Sequence, residues 1–209
     1  MKVIVIGCEY AGKSTFALNL VEWGKKHDFW FHLDDHFTIP DSSLPKEDRD
    51  VMLNLSPQFK ERFQRFQSIY HVRIMNNYRD ALEVGFYSED TIYGPLYYGY
   101  EPHFLAIRHG RRLEKELPDD TILVLLTASS YIIRKRMDEN PHEYQVIRKE
   151  EIPVLLKAFE EEFQASTIHS KIKIDTSKLA PEQVLKVFLK EARQKHLTSL
   201  DLVRILLNE

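Results

Sequence analysis

The chain has 209 residues, 43% of them hydrophobic, and a formal net charge of −3. That size suits one α/β domain with a small insertion, the charge offers no global basic field for nucleic acid, and no apolar run reaches the ~18 residues of a membrane span. The single cysteine, Cys8, excludes an internal disulfide and fits a reducing, cytoplasmic compartment.

The first element is Lys2-Val3-Ile4-Val5-Ile6, a short β-branched run with the pattern of a buried parallel strand. A chain that opens on a core strand predicts no signal peptide. Gly7 to Thr15 follow as Gly-Cys-Glu-Tyr-Ala-Gly-Lys-Ser-Thr, a complete G-x-x-x-x-G-K-[ST] loop, and Phe16 to Trp23 have helical character. Strand, glycine loop and helix together are the context of a phosphate-binding loop, where the letters alone would fit a chance turn. Backbone N–H groups of Gly7, Cys8, Glu9, Tyr10, Ala11 and Gly12, with those of the helix start, form a nest for a nucleotide's phosphates. Gly7 frees the exit from the strand, and Gly12 lets the backbone approach the phosphates. Lys13 is expected to bridge the β- and γ-phosphates of ATP, Ser14 to ligate Mg²⁺, and Thr15 to sit near the α-phosphate. Cys8 reads as a small filler or as a redox switch.

Further strands are expected at 29–33, 84–87, 121–126 and 171–174, separated by helical patterns, which is the βαβ rhythm of a doubly wound sheet. Ligands on such sheets sit at the carboxyl ends of the strands, so the residues after each run matter most. After the second come Asp34-Asp35-His36-Phe37. Ser56-Pro57 signals a helix start. Phe59, Phe63, Phe66, Tyr70 and Ile74 then form one apolar stripe of a long helix ending near Leu82. Arg62, Arg65 and Arg73 flank the stripe and either grip an anionic substrate or line a solvated helix edge. After the third strand, Asp90 is the acid expected to join Ser14 at the metal. Four tyrosines and two glycines then fall within residues 91–100. Tyr93, Tyr97 and Tyr98 there suit a pocket that stacks a planar substrate, or a loop packed on the sheet edge.

The helix after the fourth strand carries Arg134 and Arg136; Asn140-Pro141 breaks it, and Arg148 precedes another amphipathic helix. This layout predicts a lid over about 137–150, with Arg136 and Arg148 neutralising a transferring phosphoryl group and Arg134 at the nucleotide. An ordinary charged helical hairpin fits the same letters. The last strand ends in Asp175-Thr176-Ser177, and Pro181 opens a further helix. Residues 1–196 thus form one domain, with the lid inside it, and 197–209 a helical extension that packs on the body or meets a partner.

These segments resemble the P-loop nucleoside and nucleotide kinases, especially the thymidylate-kinase-like group, over about residues 1–190. The likeness is carried by Gly7–Thr15, by Ser88-Glu89-Asp90 with Tyr97-Tyr98-Gly99, by Leu126 to Ser130 leading to Arg136, and by Lys173 to Ser177. Asp34-Asp35-His36-Phe37 departs from that group and is closer to the Asp-x-Phe-Tyr of uridine-kinase-like enzymes, whose aspartate activates a substrate hydroxyl. Asp90 is followed by Thr91 where the family has arginine. The resemblance implies an α/β P-loop NTPase three-layer sandwich: a five-stranded parallel sheet, helices on both faces and a small helical lid. It implies an ATP- and Mg²⁺-dependent phosphotransferase acting on a nucleoside, nucleotide or similar small acceptor, with Asp34 or Asp35 orienting the acceptor.

The alternatives are a regulatory or assembly ATPase, with the terminal segment as its contact surface, and a polynucleotide 5′-hydroxyl kinase. The guanine-specific Asn-Lys-x-Asp of GTPase switches is missing from the sequence. No membrane partner and little affinity for nucleic acid are expected, and a homodimer is compatible with the sequence.

Overall fold

The structure, a computed structural model, describes residues 1–36, 39–101 and 111–208. Phe37, the end of the Asp-Asp-His-Phe segment, and Glu209 lie outside the described residues. The described residues form a five-stranded parallel sheet from β1 (Lys2–Ile6), β2 (His32–Asp35), β3 (Ala81–Val84), β4 (Thr121–Thr127) and β5 (Ser170–Asp175), ordered β2-β3-β1-β4-β5. β1 lies at the centre, with Val5 paired to Val84 on one side and Val124 on the other. That position explains its unbroken β-branched run: a strand paired on both sides and covered on both faces has no solvent face to make polar.

Helices α1 (Lys13–Lys25) and α7 (Pro181–Lys195) pack together on one face of the sheet, where Phe16 and Phe188 meet edge to face at 5.2 Å. Helices α3 (Pro57–Asn77), α4 (Tyr87–Tyr93) and α6 (Ile152–Ala165) cover the other face, and Tyr93 meets Phe159 at 5.7 Å. The chain also forms helices α2 (Lys46–Leu53), α5 (Ser130–Glu139) and α8 (Ser199–Leu207). The architecture is the expected three-layer α/β sandwich.

Several boundaries differ from expectation. Phe29 is not in the second strand; it is buried in the turn after α1, where its N–H donates to Gly24 O at 2.9 Å. Val84 ends the third strand and does not open it, because Gly85 takes φ +84 and turns the chain into α4 at Tyr87. α3 stops at Asn77, and Leu82 belongs to β3. The Ser56 hydroxyl caps α3 as predicted, accepting from Phe59 N.

The expected apolar stripe of α3 faces outward except at Ile74, which is buried as expected. Phe59, Phe66 and Tyr70 are 67%, 62% and 51% exposed, while Gln64, Gln67, Ser68 and His71 are buried with Val72, Ile74 and Met75. The reason lies in what faces the helix. Ser68 Oγ meets Asp90 Oδ2 at 3.4 Å and His71 Nε2 lies 3.6 Å from Glu83 Oε2, so the polar residues turn inward to polar partners.

The expected helical lid is an irregular segment between α5 and α6, as Pro141 removes the N–H that a continued helix would need. α8 packs on the body: Arg204 Nη1 donates to Asp80 Oδ1 at 3.0 Å and its guanidinium lies 3.6 Å over the Phe29 ring. Among the described residues no helix is long and apolar enough to cross a membrane.

Candidate active site

Central β1 delivers the chain to Gly7, whose φ is +150 and where a Cβ would lie 2.2 Å from Leu126 O. No side chain fits there beside β4. Gly12 has open space around it, so its requirement is conformational: φ is +100. Between them Ala11 N donates to Cys8 O, and Phe16 N returns to Gly12 O, closing the first turn of α1. The first-turn N–H groups of α1 have no intrahelical partners. Gly12, Lys13, Ser14 and Thr15 line a cavity of about 870 Å³ above them, a size suited to a small-molecule ligand.

Lys13 Nζ donates to Gly7 O at 2.6 Å and pairs with Glu89 Oε1 at 3.1 Å. Burial alone would discharge it; Glu89 holds its pKa above the ordinary value. Glu9 is pushed up to about 7, burial outweighing the Lys13 cation. Burial also raises the Cys8 thiol to about 12, which makes it an inert filler at neutral pH rather than a redox switch.

The two aspartates of β2 part company. Successive strand residues point to opposite faces, and Asp35 lines the cavity while Asp34 gathers with His71 and Glu83 on the far side. Asp35 stands on the exposed side of β2, and its carboxyl is raised to about 6, chiefly by desolvation against the cleft wall and next by Glu89. Asp90 does not line the cavity; its Oδ1 lies 3.0 Å from His36 Nε2. Glu89, one residue earlier, occupies the place beside Lys13.

Arg136 lines the cavity and braces the loop, donating to Tyr10 O at 2.8 Å and to Thr176 O at 3.0 Å. Thr176 Oγ1 donates to Ala11 O at 3.0 Å, tying the end of β5 to the same loop. Arg134 points elsewhere, to Lys149 O, and Arg148 is exposed and paired with Glu151. Arg62 is exposed, and Arg65 pairs with Glu61 at 2.5 Å; neither lines this cavity. The hydroxyls of Tyr93, Tyr97 and Tyr98 are occupied. Tyr93 accepts from Glu9 N at 3.3 Å, Tyr98 accepts from Ile39 N at 3.1 Å, and Tyr97 donates to Glu151 at 2.5 Å.

One residue escaped the sequence reading. Arg49, on α2, lines the cavity, pairs with Glu143 at 2.8 Å and lies 4.8 Å under Tyr144 as a cation–π partner. Its buried Nε has no hydrogen-bond partner, as suits a group awaiting an anion. The segment 140–145 closes over the loop through Tyr10, which stacks on His142 at 4.2 Å and bonds to His142 N at 3.0 Å. Segment 140–145 falls within the stretch 137–150 read from the sequence as a cover; for Arg49 there was no signal beyond its place in a charged helix.

Solved structures share this architecture over nearly the whole chain. A YorR protein from Bacillus subtilis, solved with phosphorylated GDP, superposes with a TM-score of 0.60 at 17% identity, covering 93% of this chain and 98% of its own. Deoxyadenosine kinase from M. mycoides with bound dATP gives 0.59 at 18%, over 92% of this chain and all of its own. Thymidylate kinase from Candida albicans gives 0.62 at 16%, over 92% and 90%. The fold is that of a thymidylate-kinase-like P-loop kinase. No protein-family model and no curated protein sequence matches the chain.

Proposed function

We propose that the protein is an ATP-dependent phosphotransferase that phosphorylates a hydroxyl of a nucleoside or similar small molecule. One observation carries the reading: the Asp35 carboxylate faces the same cavity as Lys13 and the phosphate loop. A hydroxyl acceptor needs a group to take its proton as the new P–O bond forms, whereas a phosphate acceptor is already an anion and needs cations. Asp35 is a carboxylate set where a proton can be taken, and the expected phosphate-gripping Arg62 and Arg65 do not face this cavity. The kinase names of the solved neighbours agree with phosphoryl transfer.

In this reading the triphosphate lies along Gly7–Thr15, with Lys13 leaving Gly7 O for the β- and γ-phosphates. Arg136 and Arg49 line the cavity and would meet the phosphoryl oxygens, and Leu179 and Val184 would offer apolar contact to the base. Ser14 and Glu89 supply hard oxygen donors in one cavity and fit Mg²⁺. The ion would offset charge that develops on the β- and γ-phosphate oxygens. The acceptor oxygen would bond to the γ-phosphorus as the bond to the β-bridging oxygen breaks and ADP leaves, its proton passing to a carboxylate oxygen of Asp35, and segment 140–145 would keep bulk water from competing. The exposed aromatic face of α3 supports a homodimer, and the lone buried cysteine supports a cytoplasmic location.

The test is ADP release from ATP and Mg²⁺ with a panel of nucleosides, sugars, nucleoside monophosphates and 5′-hydroxyl oligonucleotides. Turnover with a small hydroxyl acceptor is expected. Turnover confined to monophosphates would overturn the assignment of Asp35, and turnover confined to oligonucleotides would favour the polynucleotide kinase.

A further inference from the structure

Under α3, on the sheet face away from α1, Asp34, His71 and Glu83 bring one ligand atom each to within 4.8 Å of one another. The placement follows from register. Asp34 on β2 pairs with Glu83 on β3, so the pleat turns both carboxylates to the same face, where the buried face of α3 presents His71. None of the three lines the cavity over the phosphate loop.

Glu83 is the decisive residue. It is 0% exposed and neither carboxylate oxygen has a hydrogen-bond partner. A carboxylate in that position calls for a cation or a proton. His71 Nε2 lies 3.6 Å from Glu83 Oε2. Two ligands of a tetrahedral zinc ion, each roughly 2.0–2.1 Å from the metal, sit about 3.4 Å apart. The far nitrogen of His71 lies 3.5 Å from His36 Nδ1, and His36 Nε2 lies 3.0 Å from Asp90 Oδ1. When His36 donates its Nε2–H to Asp90, its Nδ1 accepts from His71 Nδ1–H. The Nε2 lone pair of His71 then points at Glu83. A carboxylate and an imidazole behind the ligating histidine are the outer support such sites use.

We propose that Asp34, His71 and Glu83 form a zinc-class metal site that pins α3 to the edge of the sheet. Two carboxylates balance a divalent charge, and the imidazole selects a first-row transition ion over Mg²⁺, which takes oxygen ligands. Asp34 is half-buried on edge strand β2, so it gives the ion a way in and leaves a coordination position for water. The site is independent of the phosphotransferase reading.

The experiment uses the full chain, stripped with chelator, dialysed and titrated with Zn²⁺ by calorimetry, with Co²⁺ absorption as a second readout. One equivalent of Zn²⁺ is expected to bind and raise the melting temperature. Co²⁺ is expected to give the visible bands of a low-coordinate nitrogen–oxygen site. His71→Gln and Glu83→Gln should abolish both signals. If either fails to fold, Asp34→Asn, at the half-buried edge, should weaken Zn²⁺ at least about tenfold. His196→Gln, remote from the cluster, should bind as the wild type does. Absence of stoichiometric Zn²⁺ and Co²⁺ binding, or wild-type affinity in His71→Gln or Asp34→Asn, would overturn the site.

Discussion

Helices α1 and α3 lie on opposite faces of one sheet and obey opposite rules. α1 buries Phe16, Ala17, Leu20 and Gly24. α3 turns Phe59, Phe66 and Tyr70 to solvent and buries two glutamines, a serine and a histidine. Both patterns have helical period, so periodicity identifies each helix but not which stripe goes inside. The sheet decides. Behind α3 stand Asp34, Glu83 and Asp90, and an apolar stripe laid on those carboxylates would leave them without partners.

Four substitutions would break or sharpen this contrast. The largest effect is expected from Lys13→Ala, which should lower kcat by at least about a thousandfold in an ADP-release assay, since the cation that meets the phosphates is gone; retained turnover would remove the donor site from the α1 face. Phe16→Ala should cost about 3–5 kcal/mol in urea unfolding, because Phe16 is 2% exposed. Next comes Asp80, which burial would raise but which Arg204 and the terminal amine pull down to about 2. Its contribution is complete above the ordinary carboxylate value near 3.8 and fades as pH falls through about 2. Asp80→Asn should therefore lower stability at neutral pH by about 2–3 kcal/mol and flatten the acid limb of a stability–pH curve. The smallest effect is expected from Phe66→Ser, within about 0.5 kcal/mol of wild type when the chain is unfolded at a dilution that keeps it monomeric, and a loss there as large as that of Phe16→Ala would mean that α3 buries its aromatic face within the chain after all.

Much of the donor side was legible because its rules are local. A glycine whose Cβ would strike the next strand, a glycine at positive φ and a lysine one residue later are fixed by a nine-residue stretch. The five parallel strands followed from the alternation of apolar runs and helical patterns, whereas their order β2-β3-β1-β4-β5 is set by tertiary pairing. The acceptor side depends on pleat and tertiary approach. Asp34 and Asp35 both stood out as strand-end acids, yet neighbouring strand residues cannot share a face, and register alone sends Asp35 to the cavity. Glu89 and Asp90 divide in the same way, one to Lys13 and the other to His36. The tyrosines promised a stacking pocket from composition, but the hydroxyls of Tyr93 and Tyr98 accept backbone N–H groups and that of Tyr97 is taken by Glu151. Arg49 reaches the site only because α2 folds back beneath Tyr144, a contact between distant parts of the chain.

The bond from Arg204 to Asp80 joins residues 124 positions apart. A ribosome makes Asp80 long before it makes Arg204. During that interval the acid at the foot of β3 lacks the guanidinium that later covers it, and it still lacks it once Asp175 completes the fifth strand of the sheet. The sheet can thus assemble during translation, but its base is sealed only when the last helix arrives. A nascent chain halted before α8 should be a better substrate for proteases and chaperones than the finished one.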